Sequence, residues 1–168
     1  MIAETKRLLI SKVDINDAAF FLELMNTPQW LKYIGDRNIG SLEDAKNYIK
    51  KSHLVSYKTL GYGFYKLILK DNNKTIGTCG LVKRDNLDFP DIGFAMLPKY
   101  QGQGFGLEAS SEILQLAKER FNINTVYAIT LPTNKNSIKL IEKLGLDFEK
   151  KVKPFDDDEE LLLFAKDL

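Results

Sequence analysis

The chain has 168 residues, 44% of them apolar, and its 24 basic and 23 acidic side chains leave a formal net charge of +1. These values suit one globular domain with its own core, and they argue against a nucleic-acid binder driven by a basic field and against a disordered acidic chain. No repeat or linker divides residues 1–168, so we expect a single domain. No signal-like or membrane-length apolar run occurs, and the lone Cys79 fits a reducing compartment, so we expect a cytoplasmic protein that does not enter a membrane.

The N-terminal third predicts one strand and two helices. A weakly alternating segment, 7–13, has the pattern of a strand. An acidic helix-start signal then predicts a helix over 14–25, and a similar signal at Ser41 predicts a second helix that reaches Leu54. The stretch between them, 27–40, is predicted to be a structured loop.

The rest of the chain alternates between strand and helix patterns. Short apolar runs bounded by turn residues predict strands, and apolar side chains at i, i+3, i+4 and i+7 predict helices from Phe105 and from Asn134. The predicted strands are 62–69, 75–82, 91–97, 125–131, 146–152 and 161–165. The resulting order, β-α-α-β-β-β-α-β-α-β-β, predicts a mixed α/β sheet with helices on its faces and not a doubly wound βαβ fold.

Three glycines, Gly102, Gly104 and Gly106, lie between a predicted strand and a predicted helix. Glycine allows close approach of a ligand to the backbone, and a helix start presents unpaired N–H groups and the positive end of the helix dipole. This combination predicts an anion site suited to a pyrophosphate. The dinucleotide fingerprint would need glycine where Leu107 stands, and the Walker lysine is absent. A glycine-rich turn without a ligand is the alternative.

The segment Gln101-x-x-Gly104-x-Gly106 resembles the pyrophosphate-binding motif of the GCN5-related N-acetyltransferases (GNAT). Further segments in matching order resemble the branch that includes ribosomal-protein N-terminal acetyltransferases (RimJ/RimL type). They are Glu4-Thr5-Lys6-Arg7-Leu8, Ile76-Gly77 with Gly80-Leu81, Asp91-Ile92-Gly93-Phe94, Glu108-Ala109, and Asn134-x-x-Ser137 with Glu142-Lys143-Leu144-Gly145-Leu146. The resemblance covers almost the whole chain. It implies the GNAT fold, a mostly antiparallel sheet flanked by helices.

The resemblance also implies a function. The chain would move an acetyl group from acetyl-CoA, its cosubstrate, to a primary amine by direct attack in a ternary complex. The amine would be a protein N-terminal α-amine or a small molecule. A non-catalytic acyl-CoA-binding module is the alternative. Neither a metal nor a nucleic acid is expected as a partner, and a homodimer is open, since dimers are common among relatives.

The same resemblance assigns coenzyme-binding residues. The CoA pyrophosphate would be held by the backbone amides of Gln103, Gly104, Phe105, Gly106 and Leu107, with Gly102 adjacent and Gln101 opening the motif. The pantetheine arm would pair with the preceding strand at Phe94, Ala95, Met96 and Leu97, and the amide of Met96 or Leu97 would bind the thioester oxygen. Asn134 and Ser137 would contact the arm, with a plain helix cap as the alternative for Asn134.

Two candidate catalytic residues follow from the same resemblance. Asp91 lies where the family often has a glutamate beside the acetyl group, and it would act as a base through water. A surface aspartate is the alternative. Many relatives carry a tyrosine acid where this chain has Ile141, so Ser137, a water or the amine itself would protonate the leaving thiolate.

Several other side chains carry weaker expectations. His53 is predicted to be a partly exposed helix residue, and Cys79 a buried apolar one. The acidic run Asp156 to Glu160 is interpreted as a solvated turn or as an attractor of cationic amines. Three aromatic residues are expected to line the acceptor groove or to pack in the core, namely Trp30, Tyr33 and Tyr62.

Overall fold

The computed structural model describes residues 1–157 and 159–168, which form one eight-stranded sheet in the order β1-β2-β3-β4-β5-β6-β8-β7. Neighbouring strands are antiparallel except β5 and β6, which are parallel. The sheet thus confirms the predicted mixed, mostly antiparallel architecture. The strands are β1 (Ala3–Glu4), β2 (Leu8–Lys12), β3 (Phe64–Leu69), β4 (Lys74–Val82), β5 (Asp91–Met96), β6 (Thr125–Thr130), β7 (Asp147–Val152) and β8 (Leu161–Asp167).

Helices connect these strands and cover both faces of the sheet. They are α1 (Ala18–Leu24), α2 (Pro28–Tyr33), α3 (Leu42–Ile49), α4 (Val55–Leu60), α5 (Phe105–Glu119) and α6 (Lys135–Lys143). A π-helical turn, Lys50–Leu54, joins α3 to α4 without a break. Within the described residues, none of these helices is long and apolar enough to span a bilayer.

One part of the helical prediction was wrong, and another was incomplete. The segment 27–40 is not all loop, because Thr27 caps Trp30 N–H and Pro28 occupies the first turn of α2. The second predicted helix does pass through Leu54, as expected, and it continues beyond the π-helical turn into α4. That helix ends at Gly61, whose φ of 79° lies in the left-handed region.

The two faces of the sheet bury different helices. On one face, α1 and α3 pack on each other and on Ala95 of β5, and we call this the α1–α3 face. On the other face, α5 packs its apolar stripe on the core side chains of β3, β4 and β5, among them Ile92 and Met96. Because side chains alternate along a strand, β5 contributes to both layers. Its backbone therefore lies between two helical layers, at the one parallel pair of strands in the described sheet.

Candidate active site

The strands β5 and β6 are adjacent at one end and separate at the other. Their register contains the single pair Asp91–Tyr127, whereas β4 and β5 are paired over six positions. Tyr127 N–H donates to the Pro90 carbonyl at 2.8 Å, which closes the narrow end of the gap. From Ile92 to Met96, in the described part of the sheet, β5 is paired with β4 but not with β6.

This separation exposes backbone groups of β5. Leu97 N–H donates to the Ile76 carbonyl on the β4 side at 2.9 Å, so it is not free to bind a thioester oxygen. Because hydrogen-bonding sides alternate along an extended strand, the amides of Phe94 and Met96 face the opposite side, toward β6. Of the two amides proposed from the sequence, the one at Met96 remains.

A cleft of about 690 Å³ passes through the gap between β5 and β6. One half is lined by the loop before α5 and by α6, including Gly104, Gly106 and Ser137. The other half is lined from the α1–α3 face, including Trp30 and Tyr48. The cleft therefore offers two different walls that meet at the exposed edge of β5.

The glycine loop supplies donors to the first half of the cleft. Gly104 caps α5 with a φ of 84° and offers no side chain to the helix start. Glu108 N–H is bonded to the Gly104 carbonyl at 3.1 Å, so the amides of Phe105, Gly106 and Leu107 precede the internal hydrogen bonds of α5. These amides and the helix dipole form an anion site that fits a phosphate group.

A charged network fixes this loop to the N-terminal segment. Glu108 accepts hydrogen bonds from Arg7 Nε at 2.8 Å, from Arg7 N–H at 2.9 Å and from the Thr5 hydroxyl. Arg7 also donates to the Gln103 carbonyl at 3.0 Å and stacks over the Phe105 ring at 4.1 Å. Partial burial raises the pKa of Glu108, but these hydrogen bonds outweigh it, and the pKa lies below its ordinary value. The loop is therefore held from outside the cleft.

The carboxylate of Asp91 lies at the narrow end of the gap. It is 3% exposed, and its Oδ2 accepts from Arg84 Nε at 2.7 Å. Burial raises the pKa of Asp91, and the neighbouring Arg84 guanidinium opposes this rise without cancelling it. Both residues line the cleft. Asp91 is thus a buried, paired carboxylate and not a surface aspartate.

Two polar residues at the start of α6 line the same cleft. Asn134 Oδ1 accepts from Ser137 N–H at 3.3 Å, which makes Asn134 the helix cap. Both residues are half-buried and line the cleft. Ile141, one turn further along α6, is 1% exposed, so this position offers no proton donor. The cap geometry leaves room for a second role of Asn134, because its amide nitrogen takes no part in the cap.

The architecture agrees with comparisons to known proteins. The family model described as "Acetyltransferase (GNAT) domain" matches residues 7–147. The chain belongs to the GNAT acetyltransferases. Because this family is one of enzymes and its curated relatives are named as N-acetyltransferases, the chain is an acetyltransferase, as the motifs predicted.

Individual relatives of this GNAT chain are distant. The chain is similar to the "Uncharacterized N-acetyltransferase p20" of Bacillus licheniformis, at 26% identity over 147 residues that cover 86% of this chain and 82% of the relative. Its fold is similar to that of an acetyltransferase from Agrobacterium tumefaciens, with a TM-score of 0.83 and 19% identity over 99% and 94% of the two chains. It is also similar to that of the microcin C7 self-immunity acetyltransferase MccE, solved with acetyl-CoA and AMP, with a TM-score of 0.81 and 14% identity over 97% and 93%.

Most of the site residues proposed from the sequence line this cleft of the GNAT domain. The exceptions are Leu97, whose amide is bonded to β4, and Gln103, whose carbonyl accepts from Arg7 on the outside. The residues that do line it are Asp91, Phe94, Ala95, Met96, Gln101, Gly102, Gly104, Phe105, Gly106, Leu107, Asn134 and Ser137. The fold therefore brings together segments that are up to about 46 positions apart, from Asp91 to Ser137.

Other expectations have mixed outcomes. Cys79 is buried, as predicted, and burial raises the pKa of its thiol to about 12. Trp30 and Tyr33 line the cleft, whereas Tyr62 packs on Phe121 outside it. His53 was predicted to be partly exposed, but it is 6% exposed and lines the cleft, so that prediction was wrong.

The described members of the acidic run lie outside the cleft lining. Its described members, Asp156, Asp157, Glu159 and Glu160, are exposed, and Glu160 pairs with Lys151 at 3.6 Å. The remaining member, Asp158, lies outside the described residues. Within the described part of the chain, no three His, Cys, Asp or Glu side chains are grouped to hold a metal ion.

Replacing Glu108 with glutamine is expected to loosen the glycine loop. Both carboxylate oxygens of Glu108 accept hydrogen bonds, whereas the –NH₂ group of glutamine can only donate. In either orientation this –NH₂ would face another donor, which is Arg7 Nε on one side and Arg7 N–H with the Thr5 hydroxyl on the other. We expect a loss of about 1–2 kcal/mol in unfolding free energy and about a tenfold weaker affinity for acetyl-CoA. Denaturant unfolding and titration calorimetry measure the two effects.

The exposed ion pair between Glu4 and Lys70 offers the matched control. Its atoms lie 2.9 Å apart, but the Glu4 side chain is 59% exposed. Glu4→Gln should therefore change stability by less than about 0.5 kcal/mol and leave acetyl-CoA affinity as it is. Equal effects of the two substitutions would show that the Glu108 network does not hold the loop.

Proposed function

We propose that this chain transfers the acetyl group of acetyl-CoA to a primary amine, by direct attack while both substrates occupy the cleft. The observation that carries the proposal is the gap between β5 and β6, which joins an anion site on one side to a second, aromatic wall on the other. A coenzyme and an acceptor can thus approach the same stretch of β5 from opposite faces.

The residues of the first half fit acetyl-CoA. The amides of Phe105, Gly106 and Leu107 would hold its pyrophosphate, and the β6-facing amides of Phe94 and Met96 would pair with the pantetheine arm. Acetyl-CoA supplies the acetyl group as a thioester. Asn134 and Ser137 would contact the same arm from α6.

The proposed reaction needs a neutral amine. The amine nitrogen attacks the thioester carbonyl carbon, a C–N bond forms, the C–S bond breaks with its electron pair on sulfur, and one amine proton is finally carried by the CoA thiol. The Met96 amide would donate to the oxygen that becomes negative during attack. A protein α-amine has a pKa of about 7.7–8.0 and a lysine amine about 10.4, so an α-amine needs less help to lose its proton.

Asp91 is our proposed base, and it would act through bridging water, because Met96 lies five residues, or about 16 Å, further along β5. Its carboxylate is held by Arg84, which leaves lone pairs on both oxygens for further hydrogen bonds. A thiol has a pKa of about 8.5, so the leaving thiolate needs little assistance and Ser137 or a water suffices. The RimJ/RimL-like motifs favour a protein N-terminal α-amine as the acceptor, with small amines as the second class.

A non-catalytic acyl-CoA-binding module is the alternative, and the apolar Ile141 in place of an acid is the observation in its favour. Thiol release separates the two. The protein is mixed with acetyl-CoA and, in turn, with N-terminal peptides, lysine, polyamines and amino sugars. We expect free CoA thiol to appear with at least one amine. Coenzyme binding without thiol release from any amine would favour the binding module.

A further inference from the structure

The second half of the cleft contains the only histidine of the chain, His53. It lies in the π-helical turn Lys50–Leu54 and packs against Phe21 and Tyr48, with ring centroids 4.9 Å and 5.8 Å away. A π-helical turn is rare and is frequently found at functional sites. His53 is only 6% exposed, and the turn places its imidazole in the wall of the second half of the cleft, where the acceptor amine would bind. We call this the acceptor half, and the half with the glycine loop the coenzyme half.

The neighbouring serine determines which ring nitrogen carries the proton. The Ser52 hydroxyl donates to the Tyr48 carbonyl at 2.6 Å, and its one hydrogen is therefore used. Ser52 Oγ also lies 3.1 Å from His53 Nδ1, so in this contact Oγ must accept and Nδ1 must donate. A neutral imidazole with its proton on Nδ1 has an unshared electron pair on Nε2.

No group in the described part of the chain hydrogen-bonds Nε2 of His53. In the same described residues, Trp30 Nε1 is the one side-chain nitrogen or oxygen that is both fully enclosed and without a partner. Since Nε2 of His53 also has no partner, it cannot be fully enclosed, and it therefore has access to open space. The space beside this residue is the cleft. Burial lowers the pKa of His53 to about 4, so the ring stays neutral and Nε2 stays an acceptor at neutral pH.

We propose that Nε2 of His53 accepts a hydrogen bond from the acceptor amine and so directs the amine lone pair toward the thioester. This inference rests on the proposed function, because it names the group that orients the second substrate. An amine has N–H donors and one lone pair, and fixing a donor on Nε2 restricts where the lone pair can point. Ser52 is a positioning residue in this proposal, since it acts through the imidazole.

A spectroscopic test needs no turnover. Because His53 is the one histidine, protein grown with ¹⁵N-histidine shows one pair of imidazole nitrogen signals. We expect the wild type at neutral pH to be protonated on Nδ1, and Ser52→Ala to shift the population toward Nε2–H. Thr59→Ala is the control. The Thr59 hydroxyl donates to the carbonyl four residues earlier, at Val55, as Ser52 does to Tyr48, but it lies on the exposed surface of α4. A wild-type ring protonated on Nε2 would overturn the proposal.

A kinetic test uses the amine with the fastest thiol release. His53→Phe keeps a ring of similar size but removes the acceptor, and it should lower kcat/KM for the amine by about tenfold or more with the Kd of acetyl-CoA within about twofold. His53→Gln places an amide oxygen near Nε2 and should restore much of the rate.

The outcomes of the kinetic test are distinguishable. Unchanged amine kinetics in His53→Phe, or an equal loss of acetyl-CoA affinity, would overturn the role of His53 while the proposed function stands. Failure of the wild type to release thiol with every amine would overturn the proposed function, and this inference with it.

Discussion

Replacing Gly104 with glutamate is expected to abolish acetyl-CoA binding. Gly104 has a φ of 84°, where a side chain is strained, and a Cβ added there would lie 3.3 Å from Arg7 Nη2. The new carboxylate would also stand at the start of α5, where we place the pyrophosphate, and two anions would compete for the same amides. Titration calorimetry should show an affinity lower by about 100-fold or more, which is about 2.7 kcal/mol.

Gly61→Glu is the matched control for this prediction. Gly61 has a similar φ of 79°, a Cβ added there meets no atom within 4 Å, and the residue does not line the cleft. The control should share the backbone strain and some loss of stability, but it should bind acetyl-CoA normally. A folded Gly104→Glu variant with wild-type affinity would mean that the phosphate site lies elsewhere.

Replacing Asp91 with asparagine is expected to lower kcat by about 100-fold, as for loss of a general base, while acetyl-CoA affinity stays within about twofold. An asparagine cannot take up the amine proton. Because burial raises the pKa of Asp91, the wild-type rate should fall as pH falls through a pKa above the ordinary aspartate value. The Asp91→Asn variant should not show this fall in rate at low pH. Rates of thiol release measured over a range of pH values would test this.

Asp17→Asn controls for the loss of a partly buried ion pair. Asp17 contacts Lys66 Nζ at 3.0 Å through both oxygens, its side chain is 12% exposed, and it does not line the cleft. This variant should lose stability and keep its kcat. If Asp91→Asn keeps the wild-type rate at every pH, Asp91 is not the base.

Local patterns explain why most of the fold could be predicted. Strand alternation and helical spacing are properties of short segments, and they placed α5 and every strand except the two-residue β1 in the correct order. The helix α2 was missed because it is six residues long, too short for a periodic pattern, and only its Thr27-Pro28 start carried a signal. The π-helical turn has no sequence signature that spacing alone would reveal.

In the site, too, local sequence patterns predicted some parts, whereas others depend on the packed fold. The glycine loop is contiguous, so its residue types and its position before a helix predicted an anion site. The partners that hold the site come from distant segments, as for Arg7 with Glu108, 101 positions apart. Pairing of this kind depends on the packed fold, which also determines whether a helix residue such as His53 is buried or exposed.

The two halves of the cleft can be tested separately. Gly104 and Glu108 test the coenzyme half, and Asp91 and His53 test the acceptor half and the chemistry between them. The single-domain organisation, a homodimer and the acceptor's identity stay predictions, since they do not follow from the geometry of β5 and β6.

A crystal structure with bound acetyl-CoA tests the central claim most directly. We predict the pyrophosphate within hydrogen-bonding distance of the Phe105, Gly106 and Leu107 amides, and the pantetheine arm along β5 in the gap toward β6. A coenzyme bound outside this gap, with no backbone amide of residues 104–107 contacting its phosphates, would contradict the account.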